Sequence, residues 1–385
     1  MVELASFFVL LCSGLFFSAL FKRLHLPYVT ALIVAGMIIG PVFNLVSLNE
    51  PLSFLGAVGL VFLMFIAGSE IKIETFKRME KAIFVLAFLN GVIPFAVGIA
   101  IGLFLKQSLF TGLVLGVAFM SSSVAVIIPS LESRKIIETD LGETIVSATV
   151  LEDIGSLLLL SFILQSVKAH PLLPLPIYIP VVIGVIFLLK KFIPKLQDIY
   201  HYRKRESDFF ESRLQFVFVV LIATVLLFEF IGMHAIVAGF LIGILLGDSI
   251  KGQVEEKIRT ISYGLFIPIF FLIVGMQTNL SIFLSLEAVI TSLLIIAGLI
   301  SAKVASGFIA GKFALHFSAK ESLFIGLSTI PQLSTTLAIA FVALEFGLLP
   351  IDIITSLIIL STVTVFIAPM AIRYIKVGQP EAMPW

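Results

Sequence analysis

Glu152 and Asp153 stand side by side in the apolar run SATVLEDIGSLLLL. About ten residues of helix on either side would hold both near the middle of a bilayer. Desolvation and like-charge repulsion act against two bare charges there, and taking up a proton relieves both. A hard cation such as sodium also seeks oxygen ligands, and carboxylates supply them. One site that takes either a proton or a monovalent cation is the minimum chemistry of exchange. A tolerated interfacial acid or a fixed salt bridge is the plainer reading. Two adjacent acids at mid-span favour the functional one.

Lys303 lies in LLIIAGLISAKVASGFIA, a second apolar run. A buried lysine needs a carboxylate partner to stay charged, and Glu152 is the natural candidate. The alternative is that Lys303 snorkels to the inner interface. Ser121, Ser122 and Ser123 precede Pro129 in one span. Another carries Ser328, Thr329, Ile330, Pro331 and Gln332, then Ser334, Thr335 and Thr336. Prolines and hydroxyl clusters loosen a helix, and the freed backbone groups can face an ion. Each single hydroxyl is more readily a packing contact than a ligand; the similar placement of the two clusters argues for two broken helices. Glu70 and Asp248 fall at span ends and read as interfacial. Glu229 and His234 flank a tight outer turn, where a solvated histidine is expected rather than a pH sensor. The 37 phenylalanines read as lipid-facing or packing residues.

These residues need a membrane scaffold. Hydrophobic residues make up 59% of the 385 and charged residues 13%, with mean hydropathy +1.17. A soluble domain carries about twice that charged share. The net charge of +1 implies no basic surface for nucleic acid. A single cysteine, Cys12, cannot form an internal disulfide. Thirteen apolar stretches are each read as a span: 4–21, 28–44, 52–70, 82–105, 109–131, 142–167, 175–193, 212–230, 234–248, 258–277, 284–312, 319–345 and 352–374. The first reads as a retained span because Lys22 and Arg23 follow it. No appended soluble domain is expected. With the N-terminus outside and the C-terminus inside, twenty-two of the 25 lysines and arginines fall in inner loops, only Lys106 and Lys168 fall outside, and Lys303 lies within a span. That bias sets the orientation. The longest polar stretch, about 194–213, is an inner basic loop.

The sequence also echoes itself. IVAGMIIG at 33–40 matches IVAGFLIG at 236–243, and SLFTGL at 108–113 matches SLFIGL at 322–327. Counting on from the second match sets Met120-Ser121-Ser122 against Ser334-Thr335-Thr336. Each matched pair of spans is an odd number of crossings apart, so the copies face opposite ways, as in the inverted repeats of secondary transporters.

The whole chain resembles the membrane domain of the monovalent cation:proton antiporter superfamily, in its second branch. That branch holds bacterial sodium/proton exchangers and the membrane part of potassium efflux systems. The resemblance rests on LPYVTALIVAGMIIGP, GLVFLMFIAGSEI, GMHAIVAGFLIGILLGDS, IPIFFLIVGMQTNLS and SAKVASGFIAGK, with the acid pair at Glu152 and Asp153 and the lysine at Lys303. It implies an all-α membrane fold of six-helix inverted repeats with two broken crossing helices. It also implies a dimerisation domain at 1–81 and 212–282, a core transport domain at 82–170 and 283–385, and a linking helix with the inner basic loop at 171–211. Asp153 is then the expected ion carrier, with Glu152 beside it. Ser121, Ser122, Ser123, Gln332, Ser334 and Thr335 are expected to line the broken helices. A homodimer in the cell inner membrane, elevator-type alternating access and a role in pH homeostasis also follow, with lipid, protons and a monovalent cation as partners and no cofactor.

The chain departs from the family pattern at three points. Electrogenic members usually carry two aspartates, electroneutral ones Asn-Asp and potassium efflux systems Gln-Asp, whereas here the pair is Glu-Asp. The charge agrees with electrogenic exchange. The arginine and glutamate often found after the second broken helix's proline are replaced by Gln332, Leu333 and Ser334. No nucleotide-binding domain is expected after residue 376. Sodium is the favoured cation, with potassium/proton exchange as the alternative, because cavity size and one or two oxygen ligands separate them. A cation channel would need a filter loop, which is not evident. A carrier of organic anions would favour a lysine or arginine without two acids beside it.

Overall fold

The computed structural model describes residues 2–23, 28–70, 81–167, 174–202, 211–247, 250, 252–280 and 285–375. Among them all regular structure is helical. Of the loop cations counted above, Lys72, Lys77, Arg78, Lys168, Arg203, Lys204, Arg205, Lys251 and Lys376 lie outside the described residues, as does Asp248.

The helices in chain order are α1 (Val2–Arg23), α2 (Tyr28–Met37), α3 (Glu50–Ser69), α4 (Lys81–Phe104), α5 (Leu109–Met120), α6 (Val124–Glu132), α7 (Asp140–Val167), α8 (Leu175–Tyr202), α9 (Ser212–Phe230), α10 (Ala235–Gly247), α11 (Gln253–Ile261), α12 (Ile267–Met276), α13 (Leu286–Ile309), α14 (Ala319–Ser328), α15 (Ser334–Glu345) and α16 (Ile351–Arg373). π-helical turns follow α2 (Ile38–Val42), α11 (Ser262–Phe266) and α13 (Ala310–Ala314). Nine helices among the described residues are long and apolar enough to cross a membrane. Shorter apolar helices lie at Tyr28–Val42, Ala235–Gly247 and Ser334–Glu345.

Capping decides where several helices begin. Ser108 Oγ accepts the Thr111 N–H and opens α5. Ser318 and Glu321 form a reciprocal capping box at the start of α14. Each satisfies backbone donors that the first turn leaves without partners.

The chain packs as two units. The first comprises Met1–Ser53, Arg78–Leu160 and Phe271–Trp385. Within it α4 packs along α5 and α13, α13 along α14 and α16, and α15 along α5 and α16. Two of these crossings are close because they lack side chains. A Cβ on Gly98 would come within 2.6 Å of Gly116 Cα, where α4 crosses α5. A Cβ on Gly307 would come within 2.4 Å of Gly326 Cα, where α13 crosses α14. The tight approach gains packing that apolar surface alone does not supply in lipid.

The second unit comprises Phe54–Lys77 and Ser161–Phe270. Phe62 stacks on Phe266 and meets Phe218 edge-on. Glu70, read from sequence as interfacial, pairs with Arg259 at 3.1 Å while its side chain is 22% exposed. Glu229 is exposed, and His234 is half-buried and accepts the Ile236 N–H on Nδ1.

Candidate functional site

The first unit gathers the polar groups of its apolar helices at one place, beginning with α4. Asn90 and Pro94 lie one turn apart on that helix. Proline has no N–H, so the carbonyl four residues back loses its helical donor. That carbonyl is Asn90 O, and Lys303 Nζ donates to it at 3.1 Å. The chain leaves helical geometry after Met120, which frees a second carbonyl. Lys303 donates to Met120 O at 2.8 Å. Its third donor meets Glu152 Oε2 at 2.8 Å, with both side chains fully buried. An ammonium has three donors, and all three are placed.

Glu152 is as fully held. Oε1 accepts from Asn90 Nδ2 at 2.8 Å. Oε2 accepts from Lys303 and lies 3.0 Å from Ser122 Oγ. The Ser122 hydroxyl has one hydrogen and a second acceptor in reach, Thr329 O at 2.8 Å. Asn90 Oδ1 in turn accepts from Ser306 Oγ at 2.7 Å and lies 3.4 Å from Thr329 Oγ1. The pair expected between Lys303 and Glu152 is therefore the centre of a network that α4, α5, α7, α13 and α14 all enter.

Asp153, the next residue on α7, meets different surroundings. It is 4% exposed. The Thr335 side chain and the Ser122 backbone lie beside it. Among the described residues its Oδ1 has no hydrogen-bond partner, and neither does the buried Ser123 Oγ. Thr335 sits in the first turn of α15 and Ser122 just before α6. Helix N-termini carry partial positive charge, which favours a carboxylate there.

The two interruptions are tied to each other. Ser123 N–H donates to Pro331 O at 2.7 Å. Gln332 Nε2 donates back to Ser121 O at 2.6 Å, and Gln332 Oε1 accepts from Ser121 Oγ and Thr336 Oγ1. The Gln332 N–H donates to Thr364 Oγ1 at 3.1 Å. Irregular backbone at this depth has its freed groups satisfied by protein. Ser334 is buried at the start of α15.

The residue count that sets Met120-Ser121-Ser122 against Ser334-Thr335-Thr336 misses the second interruption, which runs from Thr329 to Leu333. The slip is one helical turn. SLFTGL begins at the cap of α5, whereas SLFIGL begins at Ser322, one turn inside the cap Ser318. Aligning the caps sets Ser121 opposite Pro331 and Gly116 opposite Gly326. Thr329, part of the second hydroxyl cluster, joins the site, and Asn90 and Ser306 join it without having stood out in the sequence. The spacing N-G-V-I-P on α4 is the signal that points to the first of them, since a proline four residues after a polar residue frees that residue's carbonyl.

A many-helix membrane protein with a carboxylate pair and a lysine where two interrupted helices meet belongs to the class of multi-pass ion transporters. It is not an enzyme. The chain belongs to the sodium/hydrogen exchanger transmembrane family, whose model matches residues 7–376, and so to the monovalent cation:proton antiporter superfamily. A probable Na(+)/H(+) antiporter 3 of Methanocaldococcus jannaschii is 31% identical over 97% of this chain and 96% of its own length. The Na(+)/H(+)-K(+) antiporter GerN of Bacillus cereus is 27% identical over 94% and 93%. The solved structure of the sodium proton antiporter MjNhaP1 from M. jannaschii superposes with TM-score 0.71 at 20% identity, covering 97% of both chains. That likeness establishes the shared fold.

Proposed function

We propose that the protein exchanges sodium for protons, with Asp153 carrying the ion and Glu152 anchoring Lys303. The observation that carries this is the contrast between the two neighbours. Glu152 accepts from Asn90 and Lys303 with the Ser122 hydroxyl in reach, while among the described residues Asp153 keeps an oxygen without a donor. A dehydrated cation needs such oxygens, and the hydroxyl of Ser123, the residue after Ser122, offers another. A proton on Asp153 occupies the same place, so the two ligands exclude each other. Cation binding weakens the Lys303–Glu152 pair by competing for its carboxylate.

Two acids and one lysine give the site charge for two protons against one cation, which makes exchange electrogenic. The two glycine crossings, each followed by an interruption, support a pair of inverted six-helix repeats within thirteen spans. On that reading 82–170 and 283–385 form a moving core, 1–81 and 212–282 a dimerisation domain, and 171–211 the link. The core moves as an elevator within a homodimer in the inner membrane, N-terminus outside and C-terminus inside.

Sodium stands ahead of potassium because the names of both relatives above carry sodium. The Bacillus cereus name adds potassium, which keeps potassium/proton exchange as the second reading. Purified protein in proteoliposomes, challenged in turn with sodium, lithium, potassium and choline chloride while internal pH is followed, separates them. Proton flux with sodium and lithium above potassium is expected. Flux with potassium alone, or with none of the three, overturns the sodium reading.

A further inference from the structure

We propose that Asn90 is a positioning residue that reserves Glu152 for Lys303 and thereby sets how tightly the cation is held at Asp153. The inference rests on the exchange reading above and adds a residue to it. Asn90 is fully buried, in an otherwise apolar part of α4. It touches both members of the ion pair with different atoms. Its main-chain carbonyl, freed by Pro94, accepts from Lys303 at 3.1 Å. Its Nδ2 donates to Glu152 Oε1 at 2.8 Å.

The direction of that amide is fixed. An ionised carboxylate only accepts, so Nδ2 must face Glu152. Oδ1 then faces Ser306 Oγ at 2.7 Å. Ser306 lies three residues after Lys303 on α13, so one helix face supplies both the ammonium and the hydroxyl that orients Asn90. Lys303 and Ser122 meet Oε2, and among the described residues Asn90 alone donates to Oε1.

Removing the Asn90 side chain leaves Oε1 without that donor while Lys303 keeps its bond to the residue-90 carbonyl. The freed oxygen places more negative charge beside Asp153, so the cation binds tighter and leaves more slowly. Asn90→Ala is expected to lower the apparent KM for sodium by roughly three- to tenfold, a fraction of the free energy of one charge-assisted hydrogen bond because the effect reaches the cation through Glu152. Maximal rate should fall with it. Ser306→Ala, which loosens the amide without touching Glu152, should shift KM the same way by less, and Ser306→Thr should restore it.

The test is sodium-driven proton flux in proteoliposomes across a sodium series at fixed pH, with thermal stability of each variant in detergent alongside. A lowered KM for Asn90→Ala, or for Ser306→Ala where Asn90→Ala does not fold, supports the inference. An unchanged or raised KM with only a loss of rate or stability overturns it and leaves a structural role. A wild-type protein that shows no flux with any cation refutes the exchange reading instead.

Discussion

Glu152 and Asp153 are joined by one peptide bond and meet opposite conditions. Glu152 accepts from the Asn90 amide and the Lys303 ammonium, with the Ser122 hydroxyl in reach, and Asp153 has an oxygen with no donor among the described residues. Burying an ion pair is tolerable only when its remaining donors and acceptors are satisfied, and here the network does that. Lys303→Ala leaves Glu152 buried without its countercharge and should cost about 3–5 kcal/mol. A drop in thermal stability in detergent relative to the wild type reads this, and an unchanged melting temperature would remove Lys303 from the network. Competition at Asp153 has a definite sign with pH. If protons and the cation share Asp153 as proposed, the apparent KM for sodium should rise as pH falls, approaching about tenfold per unit for each competing proton below the coupled titration of the site. Sodium titrations at several pH values check it, and a KM independent of pH would separate the proton site from the cation site. The acid pair, Lys303 and the serine cluster are legible in the sequence because charge and clustered hydroxyls in an apolar run are conspicuous. Asn90 is not, since a neutral amide is common in helices and its importance comes from the other helices that meet it.

Breaks in helices do work here that whole helices could not. Pro94 frees Asn90 O and the end of α5 frees Met120 O, and both carbonyls hold Lys303. Pro94→Ala restores an N–H that competes for Asn90 O. The expected result is a folded protein whose exchange rate falls by less than about tenfold, since one neutral hydrogen bond is worth about 1 kcal/mol. Flux measurements on that variant decide it, and a complete loss of exchange would give Pro94 a larger role. The glycine crossings are less forgiving. Gly307→Val would press a side chain against Gly326, where even a Cβ would lie 2.4 Å from the backbone. Overpacking of this kind costs about 1–3 kcal/mol or more. Reduced yield of folded protein on size-exclusion chromatography is expected, while Gly184→Ala, which meets nothing within 4 Å, should leave yield unchanged. Pro129, Pro331 and the hydroxyl clusters make the breaks legible in the sequence. Their register is not, because two serines one turn apart, Ser318 and Ser322, offer the same starting point for one short motif.

At the scale of the molecule, lipid sets the terms. Apolar composition and loop charge alone make a multi-pass helical protein legible, because a chain cannot leave twenty apolar residues in water or its cations in lipid. The way helices group into units is not legible, since every helix is apolar on most faces and packing is decided by small residues scattered among them. Electrogenic exchange has a whole-molecule signature. With two protons moving against one cation, turnover should respond to membrane voltage set by a potassium ionophore, and a rate indifferent to voltage would point to one-for-one exchange. The central claim concerns a single carboxylate. Sodium-driven proton flux in proteoliposomes should vanish in Asp153→Asn, with the protein still folded by size-exclusion chromatography, and persist at a measurable rate in Glu152→Gln. Wild-type flux in Asp153→Asn would contradict the account.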